Sequence, residues 1–265
     1  MSSGSSDGDL ALAHRLADAA SVVSLAHFRG DVRRWFKPDG TLASDADLAV
    51  EDAARALLAE ERPGDSVLGE ERGQTGVGER RWIIDGIDGT ADFVAGARDW
   101  ATLIALMIGD RLVLGLCDQP AHKRRYWAAA GAGAFASDRH GDAPRRLKVS
   151  GCTELRAARS YIPPRDGQPH DAARGMASAL AAATAPLQHD NHPALQVAAG
   201  DYEVAVFLTA GPWDIAAPAV IVEEAGGRFS DVTGRRDIMS GTAVFSNGIL
   251  HDDVLQVLKS SASCF

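Results

Sequence analysis

One segment limits the possible folds more than any other: Arg81-Trp82-Ile83-Ile84-Asp85-Gly86-Ile87-Asp88-Gly89-Thr90. Its short apolar run, bounded by charged residues, reads as a buried strand. The strand ends in two aspartates with two residues between them. A carboxylate at the end of a buried strand loses many kcal/mol of hydration unless a partner replaces the water. Ser66-Val67-Leu68-Gly69 has the same form and runs into Glu70 and Glu71, and Asp214 follows Trp213 at the start of an apolar helical segment.

A shared hard cation satisfies such a set. Magnesium takes oxygen ligands and keeps open positions, whereas zinc favours His and Cys. The chain has no HExxH pattern, and its cysteines, Cys117, Cys152 and Cys264, are too far apart for a zinc site or a disulfide framework. Glu70, Asp85, Asp88 and Asp214 are therefore candidate metal ligands. The short turn between Asp85 and Asp88 also allows the Ile87 carbonyl to face inward. Glu71 reads as a neighbouring acid outside the ligand set, and Lys37 either as a solvated lysine or as a residue able to meet a phosphate. Gly89 and Thr90 open a helix, where free backbone N–H groups attract an anion and the missing Cβ lets the chain approach it. Cations beside a phosphate cradle are the layout for phosphoryl transfer to water.

The rest of the chain supports a layered α/β fold. Helical spacing predicts one helix over Asp9 to Phe28 and a second over Asp45 to Glu61, capped by Ser44 and ended by Pro63-Gly64. Strands follow at Trp100–Ile108, Leu112–Cys117, Tyr126–Ala128 and Gly133–Phe135. After Val149 the pattern restarts: a strand near Ala158–Ile162, a helix over Asp171–Ala183, a helix over Pro193–Ala199 and a strand at Val204–Leu208. A helix from Trp213 to Ala225, with Pro218 early in it, and strands near Phe229 and Val244 complete the chain. The expected organisation is a flexible tail over 1–8, an α+β unit over 9–148 carrying most metal ligands, and an α/β unit over 149–265 carrying Asp214 and pocket residues. Asn191 and His192 precede the helix that should border the pocket, which makes them candidate substrate contacts.

No apolar run reaches the ~18 residues that span a bilayer, and the opening Met1–Gly8 has no apolar secretory core. The cysteine usage suits a reducing cytoplasm. A formal charge of −9 argues against nucleic acid as a partner.

Taken together, Gly69-Glu70-Glu71, Trp82 to Thr90, Trp213-Asp214-Ile215-Ala216-Ala217 and Glu224-Ala225-Gly226-Gly227 resemble the inositol monophosphatase superfamily of magnesium-dependent, lithium-sensitive phosphatases. The resemblance covers nearly the whole chain. It implies an αβαβα layered sandwich, a homodimer, and two or three Mg²⁺ held by Glu70, Asp85, Asp88, Asp214 and the Ile87 carbonyl. Gly89 and Thr90 would contact the phosphate. Asp47 would pair with Thr90 and act with it and Glu70 on the attacking water, with Asp45 as the register rival.

The chain departs from the family pattern at two positions. Gly86 stands where the family has proline, which predicts a looser approach to the cradle. Phe207 stands where members acting on inositol or histidinol phosphate carry a glutamate, although the segments around Gln119-Pro120-Ala121 and Arg124-Arg125-Tyr126-Trp127 resemble the actinobacterial histidinol-phosphatase branch. The implied substrate is a small phosphate monoester: histidinol phosphate first, then an inositol, aminocyclitol or sugar phosphate, with a 3′-phosphonucleotide or sugar bisphosphate behind them. The reading from another class is a non-catalytic, metal-stabilised regulator that binds a phosphorylated metabolite.

Overall fold

A computed structural model describes residues 3–138, 142–162, 171–187 and 192–262. Two helices come first, α1 (Ser3–His27) and α2 (Asp45–Glu61), separated by the short hairpin β1 (Arg34–Phe36) and β2 (Leu42–Ser44). Residues 3–8, where composition alone predicts a tail, belong to α1. A helix packed through Leu12, Leu16 and Ala20 adds further residues at little cost once it is nucleated.

An eight-stranded sheet follows, in the order β10-β9-β8-β7-β6-β5-β3-β4. Its strands are β3 (Ser66–Gly69), β4 (Gly73–Thr75), β5 (Arg80–Asp88), β6 (Ala101–Ile108), β7 (Arg111–Gln119), β8 (Arg124–Ala129), β9 (Gly133–Ser137) and β10 (Arg145–Arg146), with the short helix α3 (Thr90–Val94) between β5 and β6. A five-stranded sheet, in the order β12-β11-β13-β15-β14, is built from β11 (Arg159–Tyr161), β12 (Ala185–Pro186), β13 (Val204–Phe207), β14 (Arg228–Ser230) and β15 (Ala243–Ser246). The helices α4 (Asp171–Ala183), α5 (Pro193–Ala199), α6 (Pro212–Glu224) and α7 (His251–Ala262) complete the described chain.

Alternation along β5 shows how the layers stack. Trp82 and Ile84 join Leu12, Leu16, Ala54 and Leu58 of α1 and α2 in one core. Ile83, on the opposite face, joins Leu195 of α5, Ile215 and Val220 of α6, and Phe229 and Phe245 of the small sheet in another. On the far side of the small sheet, Val204, Val206 and Val244 pack against Leu180 of α4 and Leu258 of α7. The layers are therefore α, β, α, β, α, as the resemblance implies. Each fully buried Leu or Ile here contributes roughly 1.5–3 kcal/mol.

Two helical expectations change. α7 has no counterpart in the sequence expectations, although Val254, Leu255 and Leu258 give it an apolar face. Pro218, expected early in its helix where a missing N–H costs little, is the seventh residue of α6 (Pro212–Glu224) and lies inside it. It therefore removes the N–H that would bond to the Asp214 carbonyl four residues back.

Candidate active site and metal centre

Parallel pairing of β3 with β5 sets the first part of the site. Gly69 is in register with Ile84, so Glu70 and Asp85 leave the sheet side by side, and the Glu70 N–H donates to the Ile84 carbonyl at 3.3 Å. A register shift between Asp85 and Asp88 ends the regular pairing with β6. Asp214 comes from the first turn of α6, where its Oδ2 accepts the Gly211 N–H at 2.6 Å. Glu70, Asp85 and Asp214 each offer an oxygen within 4.8 Å of the others. Asp88 stands beside this trio, with Oδ2 3.5 Å from His192 Nε2.

These carboxyl groups crowd one another. Burial, then the charges of Glu70, Asp88 and Asp214, hold Asp85 well above the ordinary aspartate value. Asp88 is pushed up to about 8 by burial and by Asp214, Glu70 and Asp92. Asp214 is pushed up to about 7 by burial and Glu70, against the pull of the Gly211 N–H. Lys37 answers part of the charge, with Nζ 2.7 Å from Glu70 and 2.5 Å from Glu71. Lys37 thus pairs with both Glu70 and Glu71. The trio is an all-oxygen, acidic donor set without His or Cys, which fits a hard divalent cation.

Across from the trio, α2 presents Asp47. Its Oδ2 accepts the Ser44 N–H at 2.8 Å and the Ser44 hydroxyl, and its Oδ1 accepts the Thr90 hydroxyl at 2.7 Å. Asp45 is exposed and Asp47 buried, so the partner of Thr90 is Asp47. Burial pushes the Asp47 carboxyl above its ordinary value despite the hydrogen bonds from Ser44 and Thr90. The Ile87 carbonyl oxygen lies 3.2 Å from Thr90 Oγ1. Gly89 has φ +86°, and a Cβ there would meet the Asp99 carbonyl oxygen at 2.9 Å, so only glycine suits this turn.

Of these groups Asp88, Gly89 and Asp214 line a cavity of about 220 Å³, together with Tyr161, His192 and Phe207. His192 and Phe207 stand at this wall, 5.9 Å apart between ring centroids, and Tyr161 meets Phe207 edge-on at 6.3 Å. Asn191 lies outside the described residues. Tyr161, Asp92 and Asp99 also line the cavity and were not anticipated. Tyr161 comes from the small sheet, and only the tertiary fold brings it here. For Asp92 and Asp99 the available signal is acidity close to the Gly89-Thr90 turn. Gly86 is not a loose point, because an added Cβ would lie 3.0 Å from the Asp47 carbonyl oxygen and 3.2 Å from the Glu51 nitrogen. Its carbonyl also accepts the Thr102 hydroxyl at 2.8 Å.

A model of the inositol monophosphatase family matches residues 10–263 of the chain. The chain belongs to the inositol monophosphatase family. Histidinol-phosphatase of Mycobacterium tuberculosis is 40% identical over 259 residues, covering 96% of this chain and 99% of that protein. Histidinol-phosphatase of Streptomyces coelicolor is 41% identical over 261 residues, covering 95% and 97%. A solved Thermotoga maritima IMPase superposes with a TM-score of 0.81 at 27% identity, covering 96% of this chain and 97% of that one. As a member of the inositol monophosphatase family, the chain is a phosphoric monoester hydrolase. Among the described residues, no helix is long and apolar enough to cross a membrane.

Proposed function

We propose that the protein is a magnesium-dependent phosphatase for a small soluble phosphate monoester, with histidinol phosphate as its first substrate. The observation that carries this reading is the convergence of Glu70 and Asp85 on Asp214, which lines the cavity with Asp88 and Gly89, the residue before the Asp47-bonded Thr90. Two or three Mg²⁺ would be held by Glu70, Asp85, Asp88, Asp214 and the Ile87 carbonyl. Bound there, magnesium supplies positive charge against the phosphate oxygens and lowers the pKa of water.

The chain's own residues take the remaining roles. Gly89 and Thr90 hold the phosphate through the backbone of their turn. Thr90 Oγ1 gives its proton to Asp47 in a hydrogen bond, which leaves its lone pairs to accept a proton from the attacking water. As Thr90 Oγ1 accepts the water's proton, its own proton passes to Asp47 Oδ1, a carboxylate raised in basicity by burial, and Glu70 helps to align the water. His192, Phe207 and Tyr161 form the wall against the leaving alcohol.

Support for histidinol phosphate comes from the named activity of the two relatives at 40% and 41% identity and from the chemistry of the wall. Aromatic faces at Tyr161 and Phe207, with Asp92 and Asp99 in the same lining, suit an alcohol that carries a flat ring and a positive charge. Phe207 in place of the family's glutamate removes a carboxylate that would read a hydroxyl or amine, which counts against inositol phosphate and histidinol phosphate alike. The family resemblance supports a cytoplasmic homodimer inhibited by lithium.

A panel of phosphorylated metabolites ranked by kcat/KM tests the substrate, with histidinol phosphate expected first. EDTA should abolish turnover and Mg²⁺ restore it. Activity that persists in EDTA would overturn the metal-dependent reading.

A further inference from the structure

Glu51 lies one turn beyond Asp47 on α2 and is 0% exposed, yet it does not line the cavity. Its carboxylate is fully engaged with the turn between β3 and β4. Oε2 accepts the Glu71 N–H at 2.8 Å, and Oε1 accepts the Arg72 N–H at 3.2 Å and Arg55 Nε at 2.7 Å. Arg55 then reaches across the same hairpin, donating to the Gly73 carbonyl at 2.5 Å and to Thr75 Oγ1 at 2.7 Å. The sequence makes room for this arrangement at Gly69, where a Cβ would fall 2.1 Å from Glu51 Oε1.

A buried ion is costly unless its lone pairs are filled, and here they are filled by the two amides that follow Glu70 and by Arg55. The helix that carries the clamp is itself braced against β5, since Gly86 admits no Cβ without pressing on the Asp47 carbonyl and the Glu51 nitrogen. From this geometry we infer that Glu51 is a positioning residue: it fixes the peptide after Glu70 and so sets Glu70 in register with Asp85 and Asp47. The inference rests on the metal-dependent reading of the site. Groups that orient metal ligands typically matter by 10–100-fold in metal affinity, in the order of a ligand's own support.

The test compares the full-length Glu51→Gln variant with Glu224→Gln. Glu224 clamps the turn between β8 and β9 by the same chemistry, accepting the Gly131 and Gly133 N–H groups at 2.8 Å each, and contributes nothing to the cavity lining. Mg²⁺ binding is measured by calorimetry, kcat and KM with p-nitrophenyl phosphate, and hydrogen exchange of the Glu71 and Arg72 amides by NMR in metal-free protein. Glu51→Gln should weaken Mg²⁺ binding by about tenfold or more, lower kcat more than it changes KM, and speed exchange at both amides. Glu224→Gln should lower Tm and leave Mg²⁺ affinity alone.

If Glu51→Gln does not fold, Arg55→Met reads the same coupling in the same direction by a smaller factor, and a folded Arg55→Met with wild-type Mg²⁺ affinity overturns the inference. Slow exchange and wild-type affinity in Glu51→Gln overturn it as well. A wild-type protein indifferent to Mg²⁺ removes the metal-dependent reading together with this one. A responsive wild type with an equally responsive Glu51→Gln removes this one alone.

Discussion

Thr90 Oγ1 donates to Asp47 Oδ1 at 2.7 Å, which joins the first turn of α2 to the first turn of α3, next to Gly89 of the cavity lining. Ser44, the residue that caps α2, holds the other oxygen of the same carboxylate. If this pair handles the proton of the attacking water, Asp47→Asn should lower kcat by about 10²–10⁴-fold and change KM little. Thr90→Val should match it and Thr90→Ser should keep most of the activity, whereas Asp45→Asn should be silent. Steady-state kinetics on the four variants checks the set.

Crowding among Asp85, Asp88, Asp214 and Glu70 has a consequence for stability without metal. In EDTA, Asp85→Asn removes one buried charge from a group of like charges, so its Tm should exceed that of the wild type. Added Mg²⁺ should raise the wild-type Tm and leave the variant nearly unmoved, reversing the order. Thermal unfolding with and without metal reads both outcomes.

His251 supplies a pH dependence away from the site. Its Nε2 lies 2.9 Å from Ser230 Oγ, which donates onward to the Asp231 carbonyl, and its Nδ1 lies 2.8 Å from Ser246 Oγ, so the neutral ring fits the pocket. Burial, then Arg228, pushes this histidine down to about 4 from 6.5. The unfolded chain therefore binds the proton more readily. The stabilisation is complete above the unfolded pKa and is lost as pH falls from 6.5 toward the folded value. Between about pH 7.5 and about pH 5 the loss should be roughly 2 kcal/mol. Urea unfolding in Mg²⁺ should show that slope in the wild type and a smaller one in His251→Gln.

Phe207 meets Tyr161, His192 and Phe245 through its ring. Phe207→Ala should cost about 10–200-fold in kcat/KM for a ring-bearing substrate, the range expected for lost apolar contact in a pocket. Phe207→Glu restores the family's carboxylate and should raise kcat/KM for inositol phosphate and histidinol phosphate relative to phosphates without a hydroxyl or amine to bind. The same metabolite panel measures both.

Much of this was readable from local signals. Ser44 and the spacing of Ala46, Val50, Ala54 and Leu58 mark α2 at its observed limits, and Pro193 marks the start of α5. The acids at the ends of β3 and β5 and at the start of α6 could be singled out because each interrupts an apolar stretch. The choice between Asp45 and Asp47 could not be made, since both lie in one helical turn and only the docking of α2 on β5 decides which faces inward. Tyr161 was illegible for a related reason: its strand is ordinary, and its place in the cavity depends on how the small sheet stacks over α5 and α6. α7 carries a legible helical signal in the spacing of Val254, Leu255 and Leu258 on an otherwise polar segment, although the expected elements end at the strand near Val244.

Asp214 rides on a helix packed between the two sheets, while Glu70 and Asp85 ride on the strands of the larger one. An ion gripped by all three would rivet neighbouring layers together. Pulling those layers apart would then require the ion to leave, so its departure and the melting of the sandwich should become a single cooperative event.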